Sequence, residues 1–395
     1  MKRTAPYRQQ TLCQVGGSGY PVRVPSSASI PLIVLLLGLM TGCSPGRFLA
    51  GRISRAPNSY PEWAAPEPRI YLAYPRRATE DLPRSTFSPP VHPLFPKDPT
   101  RISYRVVPPA DYRMTVQQSA HPGKNSHAVQ FRFNRAIPAL PLEGFKQPRG
   151  TVVLLHGYGL DQISMLPWAF WCAQHGWQAV LVDLRGHGKS TGRHISFGPV
   201  ESAELQALLT HLRETGRAPS PVVALGVSYG ASLALRWADT DPSLDSVVAI
   251  APYARLSDAI ERIRADFVPW VPRAAVAAAI AQLPAVIGVQ ASDLDTLSHE
   301  GRSRFPALLI AGGLDVIAPV KEVESLQNRC APGSKLWVLD SANHESLPFL
   351  FNEISVPVEH WLKDRAGLLP VPGSAPISDT GLRPGSHRSG RSGPR

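Results

Sequence analysis

Val222-Val223-Ala224-Leu225-Gly226-Val227-Ser228-Tyr229-Gly230-Ala231-Ser232-Leu233-Ala234-Leu235-Arg236 opens as a short β-branched apolar run, breaks at a glycine-flanked serine and resumes with Ala and Leu at helical spacing. The pattern predicts a strand over 222–226 followed at once by a helix over 229–240. A strand running straight into a helix needs a very tight turn, with Ser228 at its apex. Gly226 and Gly230 carry no Cβ, so strand and helix can close around a serine held in a strained backbone conformation. Such a turn lifts the Ser228 hydroxyl clear of the sheet. Chance can supply the five letters Gly-x-Ser-x-Gly; the strand before and the helix after give them weight.

Outward from this stretch, strands and helices alternate. Strands are predicted over 151–155, 178–182, 246–250, 307–311 and 335–339. Helices are predicted over 165–175, 200–214, 321–329 and 354–364. Strands that are continuous apolar runs, separated by helices, belong to a mostly parallel sheet covered on both faces. Between 252 and 306 the rhythm breaks, and two helical stretches over 254–267 and 273–287 stand where one crossover belongs. They read as a small helical cap over the carboxyl ends of the strands. The Ala- and Val-rich second stretch suggests an apolar lid. Ahead of the parallel unit, period-two alternation over 112–117 and 128–134 predicts an antiparallel pair at a sheet edge.

Ligands bind open α/β sheets at the carboxyl ends of their strands, and the chemistry-bearing residues cluster there. A serine hydroxyl needs a base within hydrogen-bond reach, oriented in turn by a third group. Asp315, in Gly312-Gly313-Leu314-Asp315, follows the strand at 307–311, and His344, in Ala342-Asn343-His344-Glu345, follows the strand at 335–339. The order Ser228, Asp315, His344 is that of a nucleophile, acid and histidine on this kind of sheet.

On these residues the region from about 150 to 365 resembles the α/β-hydrolase superfamily. Two further stretches agree: Leu155-His156-Gly157-Tyr158-Gly159, closing the first parallel strand, and Asp183-Leu184-Arg185-Gly186-His187-Gly188-Lys189-Ser190, after the next. The resemblance implies an α/β-hydrolase fold and a Ser228–His344–Asp315 triad. It also implies an oxyanion hole built from the backbone N–H groups of Tyr158 and Tyr229. In the family the second stretch is architectural, and His156 reads as a structural residue of its loop. The expected activity is that of a serine hydrolase cleaving a carboxylic ester or related acyl bond of a small or lipid-like substrate. An amidase or peptidase of the same fold is the alternative, and a non-catalytic, membrane-tethered binding protein is a third reading, because fold does not fix function. His156, His187, His194, His299 and His344 form no His-Glu-x-x-His and no Cys-x-x-Cys is present, so neither metal nor cofactor is expected.

The 395 residues include 41 prolines, which crowd towards the ends, and carry a formal charge of +11. The basic residues form no helix or aromatic stripe, which argues against nucleic-acid binding. The apolar run at 30–40 follows Lys2, Arg3, Arg8 and Arg23, with no acid before Glu62. It is shorter than the roughly 20 residues that span a bilayer and suits a signal-peptide core. Leu39-Met40-Thr41-Gly42-Cys43 resembles the lipobox of bacterial lipoproteins, which implies lipidation at Cys43 and a cell-envelope location, at an outer membrane facing the periplasm. The expected organisation is a signal peptide over 1–42, a Pro-rich extended tether over 43–100, the hydrolase domain over 101–368 and a disordered basic tail over 369–395. Cys172 and Cys330 fall in helices expected on opposite faces of the sheet, too far apart to bridge.

Overall fold

A computed structural model of the chain describes residues 45–59, 82–110, 112–120, 127–135, 147–297 and 303–367. Its centre is an eight-stranded sheet. In chain order the strands are β1 (Ser85–Phe87), β2 (Ile102–Val107), β5 (Thr151–Leu155), β6 (Gln178–Val182), β7 (Val222–Val227), β8 (Ser246–Ile250), β9 (Ala307–Gly312) and β10 (Lys335–Leu339). A further pair, β3 (Tyr112–Ala120) and β4 (His127–Arg135), stands apart. The spatial order in the large sheet is β1-β2-β6-β5-β7-β8-β9-β10, with β5 to β10 parallel and β1 and β2 antiparallel at one edge. Every residue of β5, β7, β8 and β9 is buried, which is why these strands read as unbroken apolar runs.

Helices cover both faces. On one side lie α3 (Pro199–Glu214), α4 (Tyr229–Thr240) and α7 (Val320–Arg329), whose Leu208, Leu212, Leu233, Trp237, Val323 and Leu326 share a core with Val153, Ala224 and Leu309. On the other lie α2 (Leu166–Gln174) and α8 (Phe351–Arg365), with Trp168, Phe170, Trp361 and Leu362 against Val152, Leu225 and Ile310. Cys172 and Cys330 are free, buried, and in these two different cores, as their helices imply. The two cap helices are α5 (Leu256–Phe267) and α6 (Arg273–Ile287).

Three expectations change. The pair β3 and β4 forms its own two-stranded sheet rather than the edge of the large one. The edge is made by β1 and β2: β1 is only three residues long, and β2 is buried at five of its six positions, so its alternating Ser103 and Arg105 lie in the interior rather than on a solvent face. Secondly, the segment read as an extended tether is partly regular. Besides β1 it holds the helix α1 (Pro45–Ile53), with proline at its first position, where the missing N–H costs nothing. This helix docks on cap helix α6 so closely that a Cβ at Gly46 would lie 2.9 Å from the Ala278 carbonyl oxygen. Thirdly, the membrane, lipoprotein and cell-envelope assignment is corrected. Among the described residues no helix is long and apolar enough to cross a membrane. The apolar run and Cys43 on which that assignment rested lie outside the described residues, as does the basic tail.

Candidate active site

β7 ends at Val227, and α4 starts at Tyr229, so Ser228 alone makes the turn. Its φ of 52° and ψ of −115° lie where a side chain is rarely tolerated. The two glycines are sterically required. A Cβ on Gly226 would sit 2.1 Å from the Gly230 carbonyl oxygen, and one on Gly230 would sit 2.3 Å from that of Leu155. The strain is held in place by the Ser228 N–H, which donates to the Ile250 carbonyl at 2.8 Å, and by the first turn of α4.

The acid turn and the histidine loop reach Ser228 from the next two strands but one. Gly313 N–H donates to Leu339 O and Leu314 N–H to Ala342 O, both at 2.9 Å, which lashes the loop after β9 to the loop after β10. Asp315 is buried, and its Oδ1 accepts from the N–H groups of Ile317 (2.8 Å) and Ala318 (2.7 Å). That leaves Oδ2 for His344 Nδ1 at 2.8 Å, while His344 Nε2 lies 2.8 Å from Ser228 Oγ. Asn343 and Ser346 bond each other across the histidine, Ser346 N–H to Asn343 Oδ1 at 2.9 Å, and so fix its loop. Burial disfavours a charged His344, but the Asp315 carboxylate, with Glu345 adding to it, outweighs burial and holds its pKa above the ordinary histidine value. The structure therefore brings Ser228, His344 and Asp315 into one hydrogen-bonded chain. The N–H groups of Ile317 and Ala318 are functional partners that the sequence reading passed over. The Asp-x-Ile-Ala-Pro run has the form of an Asx turn, which is the available signal.

The Tyr158 loop passes beside the serine, since a Cβ on Gly157 would lie 3.8 Å from that of Ser228. Tyr158 itself is exposed, with its ring stacked towards Phe197 and edge-on to Tyr229. Tyr229 is the first residue of α4, so its N–H has no partner within the helix and points out of the helix's positive end. Of the two residues named from sequence for the oxyanion, Tyr229 directly follows the serine and Tyr158 belongs to the loop that passes beside it.

The other charged turn does different work. Asp183 accepts from Gln162 N–H (2.8 Å), the Gln162 amide (2.7 Å) and Lys189 N–H (2.9 Å), while Arg185 pairs with Asp98 and Glu204. Every partner is a piece of the scaffold. Among the described residues no group of three or more His, Cys, Asp or Glu is arranged to hold a metal ion, and Cys43 lies outside them.

A mostly parallel eight-stranded sheet, helices on both faces and a serine at the strand–helix turn define an α/β-hydrolase fold. Comparison with known proteins agrees. The family profile for serine aminopeptidase, S33, matches residues 146–288, which include Ser228 but neither Asp315 nor His344. The uncharacterized protein YqkD of Bacillus subtilis is 25% identical over 198 residues, 49% of this chain and 64% of that protein. This chain thus matches less than two thirds of that relative's length. Among solved structures, two crystal forms of the Pyrococcus furiosus esterase Pf2001 match with TM-scores of 0.52 and 0.50 at 19% and 18% identity. They cover 74% and 75% of this chain and 94% and 99% of theirs. At such identity the likeness is one of fold.

Proposed function

We propose that the chain is a serine hydrolase that cleaves a carboxylic ester of a small or lipid-like acyl group through an acyl-enzyme. The observation that carries this reading is the unbroken chain Ser228 Oγ, His344 Nε2, His344 Nδ1, Asp315 Oδ2, with both contacts at 2.8 Å. In the proposed reaction Ser228 Oγ attacks the acyl carbon and its proton passes to His344 Nε2. The N–H groups of Tyr158 and Tyr229 take the developing oxyanion, and Asp315 keeps Nδ1 protonated and stabilises the imidazolium. Collapse expels the alcohol, which leaves with the proton from Nε2. Water then repeats the sequence on the acyl-enzyme, releasing the acid and restoring Ser228. A fluorophosphonate probe should label the wild type and spare Ser228→Ala; equal labelling of both sinks the assignment.

Amide cleavage by the same residues is the second reading, favoured by the serine aminopeptidase description of the matching profile. The same acyl-enzyme forms, and only the leaving group changes. Aminoacyl p-nitroanilides decide between them, because activated esters yield to either kind of enzyme: the amide reading requires the anilides to be turned over, and the ester reading requires them to be left intact while p-nitrophenyl esters are hydrolysed.

A further inference from the structure

The turn that carries Asp315 is gripped from the cap. Arg262, on cap helix α5, donates from Nη1 to the Ile317 carbonyl at 3.1 Å and from Nη2 to Glu322 Oε1 on α7. Ile317 is also the residue whose N–H donates to Asp315 Oδ1. A single guanidinium therefore joins three elements: the cap, the peptide that holds the acid, and the helix that follows it. Arg262 and Glu322 are 30% and 18% exposed, so the pair is partly withdrawn from water. Exposed ion pairs contribute little. This one differs because its second bond lands on the carbonyl of the acid turn. The hydrogen bond to Glu322 more than offsets partial burial and raises the guanidinium pKa, with Asp258 on its own helix and Asp315 adding to it. The charged groups facing His344 are Asp315 and Glu345.

We propose that Arg262 is a positioning residue: it couples the seat of the cap helix to the orientation of Asp315, and through Asp315 to that of His344. The proposal rests on the serine-hydrolase reading. Arginine suits the task because its planar fork presents donors in fixed directions to two acceptors. The lysine ammonium is a single point on a flexible stem and cannot hold both in the same geometry. If the grip loosens, Asp315 holds the imidazole less closely. Proton transfer from Ser228 then slows, and His344 loses part of what raises its pKa.

The test uses the full chain as wild type, Arg262→Lys, Arg262→Met and Ser228→Ala. The kcat and KM for p-nitrophenyl butyrate are measured from about pH 5 to about pH 9, per fluorophosphonate-titrated site for the wild type and the Arg262 variants and per mole of protein for Ser228→Ala. Titration corrects for any misfolded fraction. Arg262→Lys keeps the charge, so its change reports geometry. It should lower kcat roughly three- to tenfold with KM within about twofold, and move the acidic limb to lower pH; Arg262→Met should lower kcat further. Wild-type kcat and an unmoved limb in Arg262→Lys overturn the proposal. A loss that follows only the melting temperature, with the profile unchanged, overturns it as well and leaves Arg262 a structural pair. If Ser228→Ala hydrolyses the ester as fast as the wild type, the underlying hydrolase reading fails, and the positioning role falls with it.

Discussion

His344 and the pair His156 and His187 stand at the carboxyl ends of strands of one sheet, yet their surroundings push them in opposite directions. His344 faces a carboxylate on one nitrogen and a half-buried hydroxyl on the other, and its pKa is raised. His156 is fully buried. Its Nδ1 donates to Gly157 O and its Nε2 accepts from Leu184 N–H, so both nitrogens are committed to backbone and the ring is neutral. Burial drives its pKa down to about 4. His187 bonds Arg185 O through Nδ1, its Nε2 is buried without a partner, and burial with His156 alongside takes its pKa to about 3. A histidine near a nucleophile is therefore not a base by proximity. What distinguishes the base is an anionic partner behind it and an exchangeable proton in front.

The strongest way to break this comparison is at the nucleophile. Ser228→Ala should lower kcat/KM for a p-nitrophenyl ester by about 10⁴- to 10⁶-fold while leaving the urea midpoint close to that of the wild type. Next comes the partner that sets His344 apart. Asp315→Asn removes the carboxylate and favours the wrong tautomer, so a loss of about 10³- to 10⁴-fold in kcat is expected. The pH profile carries a sign as well. An anion at Oδ2 favours the imidazolium, so the wild type should lose activity as pH falls through a value above the ordinary histidine pKa. Without that anion burial is opposed only by Glu345, the smallest of the raising influences, and the acidic limb of Asp315→Asn should shift to lower pH. An upward shift would show that another group sets the limb.

Much of this site was legible before any coordinates. Gly226 and Gly230 announce the turn because only glycine allows the approach to the Gly230 and Leu155 carbonyls. The strands flanking it, β5 and β8, are buried throughout, so their apolar runs mark their limits and both have the bounds expected from sequence; β6 and the exposed edge strand β10 have theirs as well. Asp315 and His344 follow from those limits, since each lies just past a strand end. What stayed hidden is tertiary. The lashing of Leu314 N–H to Ala342 O joins residues whose loops carry no mark of each other. Arg262 looks like one more charge on an amphipathic helix until the Ile317 carbonyl appears beside it. Helix α1 was missed because prolines further along the segment suggested extension throughout, whereas its own nine residues hold proline only at the first position.

The smallest expected effect tests the other half of the comparison. His156→Leu leaves the Gly157 carbonyl and the Leu184 N–H without their side-chain partner. A cost of about 2–4 kcal/mol in urea unfolding at neutral pH is expected from two such groups. Its dependence on pH is more telling. In the wild type the unfolded chain protonates this histidine near pH 6.5, while the folded state resists until about pH 4. Between those values the unfolded state holds the extra proton, so His156 makes stability fall as pH falls. Deleting it should flatten the curve across that window by up to about 1.4 kcal/mol per pH unit. Groups such as Asp161, raised to about 6 mainly by burial, act in the opposite sense, but they are common to both proteins and cancel in the difference. The acidic limb of ester hydrolysis, set by His344, should not move in this variant. If it does, His156 titrates in the reaction, and the division between a working histidine and a scaffolding one collapses.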